Sequence, residues 1–140
     1  MKKKGRALAA ALLGSLLALT GCGAVGGGTA SSTAVGEYHK ISPREAKERM
    51  EAGGATVVDV RTAEEYGESH IPGAVLVPLD TIGSQRPTAL PDTGAELLIY
   101  CRSGVRSKAA AEQLAALGYQ QVYDFGGIID WPYETVRGEE

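Results

Sequence analysis

The cysteine at position 101 stands between a short apolar segment and a segment with helical spacing, and its neighbours can do chemistry. It is followed by Arg102, Ser103, Gly104, Val105, Arg106 and Ser107. The N–H groups at a helix start point outward, and the helix dipole adds roughly half a positive charge. Together they form an anion site, and a cysteine held there beside arginines favours its nucleophilic thiolate form. The segment therefore predicts a cradle shared by a nucleophile and an anionic substrate.

Three interpretations of Cys101 follow from these residues. A single cysteine is most often a small buried hydrophobic residue, although two arginines and a glycine beside it do not suit burial. A loop that runs from cysteine to arginine and opens a helix can also cradle phosphate, as in a phosphatase. The third interpretation is a cysteine that carries sulfur. The residue types alone leave all three open.

The elements that must position Cys101 are short apolar strands that alternate with helices. The expected strands cover 38–41, 56–60, 74–77, 97–100 and 121–124. Because strands and helices alternate, we predict an α/β fold of three layers, with a central parallel sheet and helices on both faces. Ligands of such sheets bind beyond the carboxyl ends of the strands. Both Cys101 and Arg61 follow a strand at such an end.

Capping residues, glycines and prolines set the expected helix boundaries. Capping boxes at 42–45 and 62–65 predict two helices, and Gly53-Gly54 ends the first. A third helix should run from Ser107 to Leu117 and end at Gly118. Residues 125–127 (Phe-Gly-Gly) are typical of a turn. A terminal helix broken by Pro132 is expected at 128–136.

The first residues have the pattern of an export signal. Residues 2–6 are basic, and the apolar run 7–19 is too short for a membrane-spanning helix, which needs about 20 residues. A retained transmembrane anchor is the less favoured alternative. The run ends in Leu19-Thr20-Gly21-Cys22, which resembles the lipobox of bacterial lipoproteins. That resemblance implies cleavage before Cys22, a lipid on its sulfur, and an extracytoplasmic protein anchored to a membrane of the bacterial cell envelope.

These features divide the chain into three parts. Residues 1–21 are the predicted signal peptide, residues 22–36 are the lipidated cysteine and a flexible tether of Gly, Ala, Ser and Thr, and residues 37–140 are the folded domain. If Cys22 carries lipid, Cys101 has no partner for an intramolecular disulfide. A single remaining cysteine outside the cytoplasm is a candidate reactive thiol.

Charge and composition exclude several classes of function. The chain has a net charge of −3, but without the first 21 residues 10 basic residues face 17 acidic ones, a net charge of −7. A nucleic-acid-binding protein should show a basic patch, and docking to anionic lipid needs positive charge. No cluster of Cys and His has the spacing of a zinc site. We therefore expect no nucleic-acid partner and no metal.

Three ordered motifs make the domain resemble the rhodanese-like domain over residues 37–135. They are Asp59-Val60-Arg61 with the run Ser69-His70-Ile71-Pro72-Gly73-Ala74, the loop 100–107, and Gly126-Gly127 followed by Trp131. The resemblance implies a parallel α/β fold and a sulfurtransferase that needs no cofactor. In that family the loop cysteine takes sulfur from a small anionic donor such as thiosulfate, becomes a persulfide, and passes the sulfur to cyanide or a thiol.

Loop length and charge refine what the resemblance implies. From Cys101 to Arg106 there are six residues, as in the sulfurtransferases of this family, whereas its phosphatases have one residue more. We assign substrate binding to Arg102, Ser103, Gly104, Val105, Arg106 and Ser107. Two arginines suit a dianion, so thiosulfate is the expected donor.

Residues outside the loop receive supporting roles. Asp59 and Arg61 either support the loop as an ion pair or contact substrate. His70 is expected to form a structural hydrogen bond and Trp131 to pack in the core or at its rim. Residues Glu64, Glu65 and Glu68 are expected to form a solvated helix face.

A second class of function is a carrier or binding module. The domain could deliver persulfide sulfur to a protein partner, or bind without turnover. A membrane tether would raise its effective concentration near such a partner. Inactive copies of this domain often lack the loop cysteine, so the presence of Cys101 favours chemistry.

Overall fold

The computed structural model describes residues 35–138 and contains five strands and three α-helices. The strands are β1 (Tyr38–Lys40), β2 (Ala55–Asp59), β3 (Val75–Leu76), β4 (Glu96–Cys101) and β5 (Gln121–Gly127). The helices are α1 (Pro43–Ala52), α2 (Ala63–Glu68) and α3 (Val105–Ala116), with short 3-10 helices at Leu79–Thr81 and Ile128–Asp130.

All five strands form one parallel sheet in the order β1-β5-β4-β2-β3. Strand β4 is central, and five of its six residues are buried. Because the strands are parallel, their carboxyl ends share one edge of the sheet, and Cys101 lies there at the end of β4. The predicted position of the cysteine relative to the sheet is therefore the observed one.

Alternate residues of β4 face two separate hydrophobic cores. Leu97 and Ile99 pack with Ala110 and Leu114 of α3 on one face. On the other face the core contains residues of β4, α1, β5 and the chain after β5: Leu98, Tyr100, Ala46, Phe125 and Trp131. Helices therefore cover both faces, which confirms the predicted α/β architecture and explains why β4 is a continuous apolar run.

The two capping motifs start helices where predicted, but only one is complete. Ser42 Oγ accepts a hydrogen bond of 3.1 Å from the Glu45 N–H, whereas the Glu45 carboxylate pairs with Arg49. In α2, Thr62 and Glu65 bond each other in both directions. Helix α3 begins at Val105, two residues earlier than predicted, because Gly104 caps it in a left-handed conformation with φ of 99°.

The end of β5 differs from the prediction. Residues 125–127 belong to the strand instead of forming a turn. The register passes from Ile99 opposite Asp124 to Tyr100 opposite Gly126, so Phe125 is an extra residue in a β-bulge. A glycine with positive φ is a usual component of a bulge, and Gly126 has φ of 94°. The predicted helix at 128–136 is wrong, because only Ile128–Asp130 is helical and Val136 pairs with His70.

The predicted signal peptide, Cys22 and the tether up to residue 34 lie outside the described residues. Gly36, the last residue assigned to the tether, packs against the domain, and its N–H donates a hydrogen bond of 2.9 Å to the Ala115 carbonyl. A Cβ at Gly36 would lie 1.8 Å from the Tyr119 carbonyl oxygen. Between residues 35 and 138, no helix has the length and apolar character needed to cross a membrane.

Candidate active site

Cys101 lies at the bottom of a tight loop between β4 and α3. Its side chain is buried, and the Gly104 N–H donates a hydrogen bond to Sγ over 3.0 Å. The N–H groups in the first turn of α3 have no carbonyl partner within the helix, as at any helix start. The Gly104 N–H and the start of α3 thus place donors on this side of the loop, where they can stabilise negative charge on sulfur or on a bound anion.

Glycine is required where the loop meets the end of β5. A Cβ on Gly127 would lie 2.1 Å from the Arg102 carbonyl oxygen and 2.7 Å from the Ser103 Cα. The same carbonyl accepts a hydrogen bond of 3.2 Å from the Ile129 N–H. Gly127 has an ordinary φ of −117°, so space rather than backbone conformation excludes other residues. This contact gives a physical reason for the Gly126-Gly127 motif.

Below the loop, the buried carboxylate of Asp124 connects β5, α3 and β1. Its Oδ1 accepts hydrogen bonds from Ser107 Oγ at 2.7 Å and the Gly126 N–H at 2.9 Å. Its Oδ2 pairs with Lys40 Nζ at 3.1 Å. Ser107, which the sequence assigned to substrate binding, is buried and directs its hydroxyl to Asp124. Its place is under the loop, where it supports the first turn of α3.

Asp59 and Arg61 form a buried ion pair at the end of β2. Arg61 Nη2 lies 2.7 Å from Asp59 Oδ2 and also donates to the Ser69 carbonyl at 2.6 Å. Burial opposes the charge on Arg61, but the hydrogen bonds and negative charge of Asp59, together with Tyr100, more than offset burial and raise the pKa of Arg61. This ion pair fits the support role. Arg61 also lines the pocket beside Arg106, so its contact with substrate stays a prediction.

Tyr100 extends this support to the residue next to Cys101. Its hydroxyl donates to Asp59 Oδ2 at 2.7 Å and accepts from the Ile71 N–H at 3.1 Å. Burial, reinforced by the charge of Asp59, raises the pKa of Tyr100 well above its usual range, so it remains a neutral donor. The ion pair thereby fixes the end of β4.

Arg106 is held by Glu65 in a bidentate ion pair. Its Nη1 and Nη2 lie 2.8 Å from the two carboxylate oxygens. Hydrogen bonds from Arg106 lower the pKa of Glu65 to about 2, with further help from Thr62. Glu65 is therefore not part of a solvated helix face, and the sequence assignment for this residue was wrong. Glu64 and Glu68 are exposed as expected.

The remaining loop residues face outward. Arg102 and Ser103 are exposed, and the Val105 side chain is 76% exposed, so Ser103 and Val105 offer the loop mainly their backbone groups. A pocket of about 310 Å³ opens beside Arg106 and is lined by Val60, Arg61, Thr62, Pro78, Leu79 and Asp80. This pocket lies at the same edge of the sheet as Cys101.

Two residues considered in the sequence lie away from the loop in structural roles. His70 is buried, stacks on the Tyr66 ring at 3.7 Å between centroids, and its Nδ1 lies 2.9 Å from the Tyr66 carbonyl. Trp131 is buried against Phe125. Among residues 35–138, no three His, Cys, Asp or Glu side chains are grouped as metal ligands would be.

Sequence reasoning missed Tyr100, Asp124 and Lys40 as loop supports. Asp124 carried a usable signal, because aspartate is depleted in strands and this one interrupts an otherwise apolar strand. Tyr100 resembled an ordinary core residue. Lys40 is 84 residues from Asp124 along the chain, and nothing local predicts their contact.

Comparison with known proteins identifies a matching family model. The Rhodanese-like domain model covers residues 42–132, which include both capped helices, the loop and Trp131.

Curated relatives and solved structures agree with this match. Thiosulfate sulfurtransferase PspE of Escherichia coli (strain K12) is 36% identical over 81 residues, which cover 58% of this chain and 78% of that protein. Thiosulfate sulfurtransferase GlpE of Ectopseudomonas mendocina (strain ymp) is 35% identical over 109 residues, covering 74% and 97% respectively. A structure titled rhodanese with anions from E. coli has a TM-score of 0.55 and 35% identity, covering 60% of this chain and 99% of that one.

Proposed function

The chain belongs to the rhodanese-like domain family, and from that premise we propose that it is a sulfurtransferase whose nucleophile is Cys101 and whose donor is thiosulfate or a related sulfane-sulfur compound. The observation that carries the proposal is the position of Sγ at the carboxyl end of the central strand, facing the N–H of Gly104. The names of the relatives PspE and GlpE support thiosulfate as donor.

The first step forms a persulfide. The Cys101 thiolate attacks the outer sulfur of thiosulfate, a new S–S bond forms, the old one breaks, and sulfite leaves with the bonding electron pair. The N–H groups of the loop stabilise the negative charge of the persulfide. The loop donors that we assign to substrate binding are the backbone groups of residues 102–106, together with the side chains of Arg102 and Arg106.

The second step returns the thiolate. The carbon of cyanide attacks the terminal sulfur, thiocyanate leaves, and the electron pair of the broken S–S bond stays on Cys101. A thiolate acceptor would take the sulfur in the same way and become a persulfide. Because the enzyme alternates between two covalent states, the kinetics should be ping-pong.

The test is thiocyanate formation by the full chain, purified in detergent, from thiosulfate and cyanide. We expect turnover in the wild type and none in Cys101→Ser. A mass gain of one sulfur atom on the Cys101 peptide after donor alone would identify the intermediate. Turnover that persists in Cys101→Ser would refute the assignment. A persulfide without turnover would instead favour a carrier that delivers sulfur to a protein partner.

We also propose that lipid on Cys22 anchors the protein to a membrane of the bacterial cell envelope. The support is the sequence Leu19-Thr20-Gly21-Cys22 directly after a basic segment and an apolar run. Residues 1–21 would be removed, and the tether would lead to the domain. Cys22→Ala should leave the precursor uncleaved and without acyl mass. Normal cleavage in that variant would contradict the proposal.

A further inference from the structure

Most of the positive charge around Cys101 is already balanced by carboxylates. Three cations at this edge of the sheet are paired: Arg61 with Asp59, Lys40 with Asp124, and Arg106 with Glu65. Arg102 forms no ion pair with the carboxylates of residues 35–138. The two loop arginines suggest a strongly cationic cradle, but the structure leaves only one of them uncompensated.

Hydrogen bonds hold the Glu65 carboxylate in a fixed position. Its Oε2 accepts hydrogen bonds from the Thr62 N–H at 3.0 Å and from Thr62 Oγ1 at 3.1 Å, in addition to Arg106. Only 23% of its side chain is exposed. The capping box fixes the carboxylate in the absence of substrate. Arg106 is therefore paired with a carboxylate whose position is set by α2, and not with a freely moving surface side chain.

Arg106 is close enough to Cys101 for its charge to matter there. Arg106 lies in the first turn of α3, directly after the loop that holds Cys101, and it lines the pocket at this edge of the sheet. The carboxylate that pairs with Arg106 there is that of Glu65, at 2.8 Å. Binding of a dianionic donor depends strongly on the positive charge of Arg106, whereas binding of a donor with one negative charge depends on it less. The carboxylate of Glu65 therefore competes with the donor for the same guanidinium.

We propose that Glu65 is a specificity-determining residue, which neutralises Arg106 and so disfavours dianionic donors relative to donors of lower charge. The inference rests on the proposed function for the identity of the nucleophile. It narrows the donor class of the proposed function: among sulfane-sulfur donors, Glu65 favours a singly charged thiosulfonate or persulfide over a dianion such as thiosulfate. Glu65 acts through Arg106 and is not itself assigned a contact with the reacting sulfur.

The first test measures the charge at Cys101 without requiring turnover. Iodoacetate and iodoacetamide are similar in size, but only iodoacetate is an anion, so the ratio of their rates at the Cys101 peptide reports the local potential. Glu65→Gln should raise this ratio roughly five- to tenfold at low salt, an effect that falls as salt screens the charge. Glutamine also serves at this position of a capping box, so the helix start is retained.

Matched variants separate charge from structure. Glu64→Gln removes an exposed carboxylate from the same turn of α2 and should leave the ratio within about twofold of wild type. Glu65→Asp keeps the charge and should also stay near wild type, so a raised ratio in Glu65→Asp would mark a structural effect rather than an effect of charge. If Glu65→Gln folds poorly, Arg106→Gln and the double variant of the second test still decide the proposal. Circular dichroism of each variant checks the fold. An unchanged or lowered ratio in Glu65→Gln would overturn the proposal.

The second test concerns the donor. Glu65→Gln should lower the KM for thiosulfate, a dianion, several-fold more than the KM for methanethiosulfonate, a monoanion, with little change in kcat. Arg106→Gln should raise the KM for thiosulfate, because it leaves Glu65 uncompensated, and the double variant Glu65→Gln/Arg106→Gln should return it to near the wild-type value. A double variant as impaired as Arg106→Gln alone would overturn the proposal. If no variant and no wild-type protein shows turnover, but Glu65→Gln still raises the ratio of iodoacetate to iodoacetamide rates, the result would count against the proposed function and not against the role of Glu65.

Discussion

Ser107 donates a hydrogen bond of 2.7 Å to Asp124, which ties the first turn of α3 to the middle of β5 beneath the loop that holds Cys101. Both groups are buried. A buried polar group without its partner is costly, so each depends on the other. The loop therefore gains its shape from two side chains that are distant in sequence and do not face the proposed substrate.

Replacing Ser107 tests this support. Ser107→Ala should lower the free energy of unfolding by about 1–3 kcal/mol, because Asp124 loses a buried donor. Ser103→Ala, at an exposed position of the same loop, should change it by less than about 0.5 kcal/mol. Urea unfolding followed by circular dichroism measures both. Equal stability of the two variants would contradict the role assigned to Ser107.

Replacing Tyr100 tests its hydrogen bond to Asp59, which supports the end of β4 from the neighbouring strand β2. Tyr100→Phe removes the hydroxyl that bonds Asp59 and the Ile71 N–H, and it should cost about 1–3 kcal/mol of stability. Tyr123→Phe is the control, because Tyr123 is a partly buried tyrosine on the neighbouring strand. Thermal unfolding of both variants gives the comparison. A melting temperature for Tyr100→Phe as high as that of the control would show that the hydroxyl is dispensable.

Acid should weaken the domain partly through Glu65. Its pKa is lowered to about 2 in the folded state, first by Arg106, from an ordinary value of 4.5. Such a group stabilises the fold above its unfolded pKa, and the contribution is lost as the pH falls toward 2. The loss should be on the order of 1 kcal/mol, because the Arg106 side chain is 34% exposed and solvent screens the pair.

Unfolding in urea at two pH values measures this effect. The stability difference between wild type and Glu65→Gln should be largest near about pH 6 and shrink at about pH 2.5. Glu64→Gln, beside it on α2, should show no comparable change. A difference between wild type and Glu65→Gln that does not vary with pH would refute the linkage.

The close contact between Gly127 and the Arg102 backbone predicts that no side chain larger than that of glycine fits at position 127. Gly127→Ala places a methyl group against the Arg102 backbone and should lower stability by about 1–3 kcal/mol while displacing the loop. Gly83→Ala is the control, since a Cβ there meets nothing within 4 Å. The rate of sulfur transfer and the melting temperature should both fall in Gly127→Ala and should stay at the wild-type values in Gly83→Ala. Wild-type activity in that variant would show that the loop tolerates the displacement.

Local signals predicted the elements and the position of the nucleophile. The caps at Ser42 and Thr62 placed two helices correctly, and the apolar run before Cys101 placed the central strand. The same local reasoning failed at residues 125–127, because glycines that serve a bulge cannot be told from glycines that serve a turn. It also assigned Glu65 to solvent, since its partner Arg106 is 41 residues away and only the packed sheet brings the two together.

The strand order has a consequence for how the chain reaches its native state. Strand β5 lies between β1 and β4, and Tyr38 of β1 pairs with Val122 of β5. The first strand can therefore join the sheet only after the last strand is in place. Contacts between distant parts of a chain form slowly, because closing a long loop reduces chain entropy before any contact compensates. During synthesis, β1 has no neighbour in the sheet until residues 122–124 of β5 have emerged. Assembly of the sheet is therefore a late event of the whole domain, and a chain interrupted before β5 would lack both the floor of the cysteine loop and a partner for its first strand.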